Sequence, residues 1–454
     1  MTLKYLNHKI ITSEQISIVR TLFYSVTSCL ILLLFPQPVS AHAFGALYSL
    51  PLPFWLYSYG ASVALIISFL LIAWFAKENK EFNYPRIHLN LNHWLVFLLQ
   101  VLVLAFFAVT ILAGFFGLQS PVQNFAPTFF WIIFLLGFTY LSGIFGNFWD
   151  KINPWKLILS PLNLKPLLDY PKSLGFLPAL IFYFILIWLE ILSSGLGARP
   201  QFLSTLLLSY TFINILGSII FGTQDWFKYG EFFSVSFGLI SKLSPFSKEN
   251  VLNTSTNHST LLLFILFALS STAFDGFRST IPFFRFFFLY NQTLLLLASP
   301  IFFLTLYLLA IILMKILTRS SLSIKTLSLH FAFSLIPIAF AYNIAHYFPL
   351  LLIQGQSIIT LISDPINQGW NLFGTSDYQI NVGLVGANFV WNFQVFAIIG
   401  GHILAVFIAH LLTLKLFPNR KQALLSQLPM LILMIFYTIA GLWILSQPMM
   451  TGGL

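Results

Sequence analysis

Ten separate apolar runs, most of them near 20 residues long, constrain this chain more than any other feature. They lie near 54–76, 94–117, 128–146, 175–193, 201–222, 260–275, 293–316, 328–351, 386–412 and 428–446. A helix rises about 1.5 Å per residue, so about 20 residues cross the roughly 30 Å hydrocarbon layer of a bilayer. Helix is the expected form because it satisfies its own backbone hydrogen bonds where water is absent. A membrane barrel would show alternating strands of about ten residues, and these runs do not alternate. The shortest run, 260–275, ends at Asp275.

Composition removes the alternatives. The 454 residues are 58% hydrophobic and 7% charged, against about 25% charged in a soluble domain. A water-soluble enzyme is therefore excluded, and so is disorder. The single cysteine, Cys29, excludes an internal disulfide framework and any CxxC motif. The expected fold is all-α, a polytopic transmembrane helix bundle of about ten spans after an N-terminal signal segment. Residues 42–454 form one integral membrane domain, with the lipid bilayer as its partner.

The signal is read from Lys4, Lys9 and Arg20, the short apolar run Thr21–Phe35, and the segment PQPVSA. That order is a positive region, a hydrophobic region and a small-residue cleavage site. Residues 1–41 are thus expected to be a cleaved signal peptide. Cleavage after Ala41 leaves His42 as the N-terminus, and cleavage after Ala43 leaves Phe44. An uncleaved first helix is the alternative.

Loop charges orient the bundle. With the mature N-terminus outside, 16 Lys and Arg residues fall in inside loops and three, Arg199, Arg278 and Arg285, fall outside. The positive-inside rule expects such asymmetry. It implies a bundle with both mature termini outside, and it explains the net charge of +10 with no nucleic-acid partner. The long inside connections, 147–174 and 223–259, are expected at the membrane surface. There YGEFFSVSFGLISKL would lie as an interfacial amphipathic helix, and Trp149, Trp155 and Trp226 would join an aromatic belt.

No HExxH, GxSxG, Walker A or GxGxxG motif is present. Chemistry must come from polar residues inside spans, where they are expensive and mark function by default. Glu190, Asp275, Arg278, Asn343, His346, Asn388, Asn392, Gln354 and Gln356 fall toward the outer side. His346, Asp275 and Glu190 are the candidate catalytic groups. His346 and Asp275, with His402 and His42, are candidate ligands for a divalent metal, zinc or copper, that could activate a water. The alternative is that Asp275 pairs with Arg278 and His346 bonds a neighbouring helix. His402, in GGHILAVFIAH, has Gly400 and Gly401 beside it for close helix approach. It could bind metal, relay protons or simply pack. His410 stands about 80° around the helix from it, so the two do not chelate. An N-terminal His42 would offer both its amine and its ring to one metal, which resembles the histidine brace of copper monooxygenases.

The stretch AHAFGALYSLPLPFWLYSYGASVALIISF (41–69) resembles the opening of a bacterial polytopic membrane family labelled fenitrothion hydrolase. FGNFWDKINPWK, EFFSVSFGLISKLSP, STAFDGF, NIAHYFPLLLIQGQ and GGHILAVFIAH are similar to later parts of that family. The resemblance implies an inner-membrane protein and an organophosphate ester hydrolase activity. It carries no catalytic residues over. Three functions follow: a membrane-embedded, metal-assisted hydrolase of small hydrophobic esters; a transporter or channel for a metal ion or small solute; or a non-catalytic subunit of a membrane complex. A hydrolase requires His346, Asp275 and another ligand to converge. A transporter requires polar residues at successive depths and broken helices.

Overall fold

The computed structural model describes residues 50–75, 92–162, 165–417 and 419–447. The signal segment, both cleavage points and His42 lie outside the described residues. Within them the chain is all-helical, with no strand. Among the described residues, nine helices are long and apolar enough to span a membrane, so the chain is a multi-pass membrane protein.

The long helices are α1 (Phe54–Phe75), α2 (His93–Phe116), α3 (Phe125–Phe145), α7 (Pro200–Phe221), α9 (Ser259–Arg278), α11 (Gln292–Thr318), α12 (Ile324–Leu361), α13 (Ala387–Leu416) and α14 (Arg420–Ser446). Shorter ones are α4 (Trp149–Ile152), α5 (Pro154–Leu159), α6 (Leu177–Ile191), α8 (Phe232–Ser241) and α10 (Ile281–Phe287). Helix α6 occupies the expected fourth run, but its 15 residues reach only about 22 Å. The connections gather at two ends. One end holds the lysine-bearing segments 146–176 and 222–258; the other holds Arg199, Arg278, Arg285 and the long loop 362–386.

Small residues set the closest approach. A Cβ on Gly401 of α13 would lie 2.2 Å from Ala341 Cβ and 2.9 Å from the Pro337 carbonyl of α12. Only glycine lets these backbones meet. Gly400 faces open space, so the expected pair of close-packing glycines is a single one. Helix α14 packs on α11, α13 and α1, while α2 packs on α7. Trp94, Phe97, Leu98, Val101 and Leu102 on α2 stay exposed, as a lipid-facing surface should.

Two helices depart from regular α geometry. In α3, Thr128–Leu136 is a π-helical stretch. In α12, Ala332–Leu335 is a 3-10 turn. Irregular helix inside a membrane bundle is tolerated where it is covered by protein or lines a cavity.

The connections at the lysine-bearing end are not surface segments. Trp149, Trp155 and Trp226 are at most 5% exposed, which corrects the aromatic-belt expectation. Trp155 Nε1 donates to Thr211 Oγ1 at 2.8 Å, halfway along α7. Helices α4 and α5 therefore dip into the bundle. Helix α8 does so too: Phe232, Phe233, Val235, Phe237, Leu239 and Ser241 are all buried. The expected interfacial helix is an internal one. Its apolar residues occur all round the helix, so at a membrane surface some of them would face water.

Candidate functional site

Asp275 lies in the last turn of α9 and His346 in the middle of α12. These helices pack together, and His346 Nε2 meets Asp275 Oδ2 at 2.9 Å. Tyr347 Oη donates to the same oxygen at 2.8 Å. Arg278 does not pair with Asp275; its Nε donates to Gln292 Oε1 at 2.8 Å. The ring of Tyr342 stacks on that of His346, with centroids 6.4 Å apart. With Nε2 bound to Asp275, the other nitrogen, Nδ1, is buried and without a hydrogen-bond partner among the described residues, as is Tyr342 Oη. Leu50 and Phe54, at the start of the described chain, pack against the cluster that contains Tyr342 and Ala345.

Other candidates separate from this pair. His402 is buried in α13 and bonds Ile398 O of its own helix through Nδ1 at 2.8 Å, leaving Nε2 without a partner. Its neighbour Gly401 packs over Pro337 and Ala341, more than a turn along α12 from His346. His410 Nδ1 contacts Gln427 Oε1 at 2.9 Å. Asn388 and Asn392 are exposed and do not join the cluster; Gln394, buried, instead donates to Ala345 O at 2.9 Å. Gln356 holds the loop, accepting from Tyr378 Oη at 2.7 Å and Asn381 N at 3.0 Å. Among the described residues, no three His, Cys, Asp or Glu side chains converge on a point where a metal could sit. His346 and Asp275 meet as expected, but His402 does not complete a zinc or copper set with them.

A cavity of about 80 Å3 lies in the bundle between α3, α6, α8, α9 and α12. Glu190, Tyr183, Tyr347, Asn343, Thr139, Thr272 and Ser236 supply its polar groups, and leucine, isoleucine, phenylalanine and alanine the rest. At roughly 30 Å3 per water, that volume holds about two or three waters, or one solute of a few heavy atoms. Glu190 and Tyr347 are part of the lining; Asp275 and His346 are not. The dyad thus stands behind Tyr347.

A second, wider cleft of about 1070 Å3 opens at the lysine-bearing end. Lys156, Lys228, Lys242, Lys248, Asn147, Gln224, Asn253, Asn257 and His258 line it. Lys242 hydrogen-bonds Glu249 and so holds that carboxyl below its ordinary range. Lys228 lies over the Tyr229 ring.

Helix α8 separates these spaces. Phe232, Ser236, Leu239 and Ile240 line the cavity, whereas Ser234, Val235, Gly238 and Leu239 line the cleft. Leu239 belongs to both. On α9 the cleft reaches Leu261 and the cavity begins at Phe264; on α12 the cleft reaches Phe333 and the cavity begins at Ile336. On three elements, then, the two spaces come within one helical turn. The 3-10 turn of α12 lies at this boundary.

At the N-terminus of α8 is a residue that motif reasoning passed over. Glu231 is fully buried and caps the helix, accepting from Phe233 N at 3.0 Å and Ser234 N at 2.7 Å. Tyr210 Oη and Asn153 Nδ2 also donate to it. The one available signal was its position as the sole acid in an otherwise apolar segment. No protein-family model, no curated protein and no solved structure matches the chain.

Proposed function

We propose that this chain is a membrane transporter for a small solute, with a path from the Glu190 cavity, past Leu239, to the lysine-lined cleft. The carrying observation is the thin septum: one side chain, Leu239, borders both spaces. Broken or re-entrant helices beside the boundary are the usual way a bundle lets a path open at mid-depth. The loop-charge asymmetry supports a cleft that opens on the inner side of the membrane, and the lysines there favour an anionic or dipolar solute at that end.

The test is reconstitution of the full chain in vesicles, read by osmotic swelling in formamide and in glycerol. Leu239→Ala should raise permeability to formamide several-fold over wild type, with glycerol favoured less because it is larger than the cavity allows. Permeability of the variant equal to wild type and to empty vesicles would overturn the proposal.

A second reading, the ester hydrolase, is supported by the convergence of His346, Asp275 and Tyr347. Hydrolysis needs a base that reaches water. His346 Nδ1 is buried and its ring is absent from the cavity lining, so this reading requires the site to open. Turnover of a phosphotriester by wild type, abolished in His346→Ala, would favour it over transport.

A further inference from the structure

We infer that Glu231 is a proton-binding site of this protein, exchanging with the lysine-lined cleft through Ser234 and setting the N-terminal cap of the septum helix α8. The role in coupling rests on the transport reading; the proton site itself does not.

Glu231 is a carboxyl group with no exposed surface in a membrane bundle, and among the described residues it forms no ion pair. Such groups are rare and mark ion or proton pathways. Each partner of its oxygens is a donor: Tyr210 Oη, Asn153 Nδ2 at 3.2 Å, Phe233 N and Ser234 N. Four donors fill the roughly four acceptor positions of an ionised carboxylate. A metal cation would need oxygen lone pairs facing the site, and this shell offers hydrogens. A proton needs a single lone pair, which the Tyr210 hydroxyl can free by turning its O–H away, whereas a metal ion needs several.

The shell also supplies a route. Ser234 Oγ accepts from the same Asn153 amide at 3.2 Å, and Ser234 lines the cleft. On the other side, Tyr210 Oη accepts from Phe232 N at 3.1 Å, and Phe232 lines the cavity. Glu231 thus lies where α8 separates the two spaces. Few other charges face it. Tyr210 is the titratable group from α7. Near α4 and α5, Asp150 and Lys156 pair with each other. Before α8, Lys228 lies over Tyr229. On α6, Tyr183 stacks against Phe232, and on α3, Tyr140 turns toward Asn343 O.

The step is simple protonation. A proton from cleft water bonds to one Glu231 oxygen, the carboxylate becomes a neutral acid, and release returns the proton to water. The neutral acid keeps one acceptor fewer and loses the charge that strengthens its bonds to Phe233 N and Ser234 N. The cap of α8 weakens and the septum is freed to move. Deprotonation restores the cap.

Infrared difference spectroscopy of the full chain in lipid nanodiscs tests this. Acidification should produce the C=O stretch of a buried carboxylic acid, shifted in D2O, present in Glu190→Gln and absent in Glu231→Gln. Ser234→Ala should slow its H/D exchange several-fold. If Glu231→Gln does not fold, Tyr210→Phe should move the band, because the tyrosine hydrogen bond is gone. No acid band at any pH where the protein stays folded, or a band unchanged in both Glu231→Gln and Tyr210→Phe, overturns the inference. A normal Glu231 band with a Leu239→Ala variant that gains no permeability overturns the transport reading alone.

Discussion

His346, Asp275 and Tyr347 show how much a single polar contact matters in this bundle. The imidazole and the phenol meet on one carboxylate oxygen, tying α9 to α12 near the cavity. Asp275 retains 21% side-chain exposure and His346 9%, so water compensates little when one partner is lost. His346→Ala should destabilise the folded protein by about 2 kcal/mol, the scale of a hydrogen bond to a charged group. Tyr347→Phe should cost less, since Asp275 keeps the imidazole. Thermal unfolding in detergent measures both, and equal, negligible shifts would show that the contact holds nothing. The sequence made Asp275 and His346 legible because ionisable residues inside apolar runs are conspicuous. Tyr347 was not legible, because tyrosine is common in membrane helices and only its direction gives it a role. Glu231 was hidden for a different reason: the segment around it was read as lying at the surface, where a glutamate needs no explanation.

At the scale of elements, spans and internal connections behaved differently. All ten expected runs are helices, since a run of about 20 apolar residues has few other options in lipid; most bounds agree within a few residues, but α12 continues to Leu361 and α14 begins at Arg420, outside the expected 328–351 and 428–446. The segments between them were misread. Apolar residues on all sides of α8 are consistent with an interfacial helix in a string of letters, but at a membrane surface some of them would face water. The same holds for α4 and α5, whose tryptophans read as a belt and are core. Close packing gives a direct test of element contacts. Gly401→Val places a branched side chain where 2.2 Å separates the new Cβ from Ala341. It should lower stability by about 1–3 kcal/mol through overpacking, whereas Gly400→Val, pointing into open space, should be nearly silent. Equal melting temperatures for the two variants would contradict this α12–α13 interface.

At the scale of the whole molecule, orientation is the property most open to measurement. Impermeant maleimide applied to intact spheroplasts should label Ser376→Cys in the long loop and spare Lys248→Cys in the cleft, each in a Cys29→Ser background. The reverse pattern would invert the bundle and turn the cleft outward. Hydropathy and loop charge determined the class of this protein: lipid demands long apolar helices, and the cost of moving lysine across a membrane sorts the loops. Those are local properties, summed along the chain, and a sequence carries them openly. What only the tertiary structure decided is which residues meet. The junction of cavity and cleft at Leu239, the carboxylate shared by His346 and Tyr347, and the donor shell of Glu231 each join elements more than 50 residues apart. Such meetings depend on side-chain direction and helix packing across a three-dimensional bundle, and neither periodicity nor spacing encodes them.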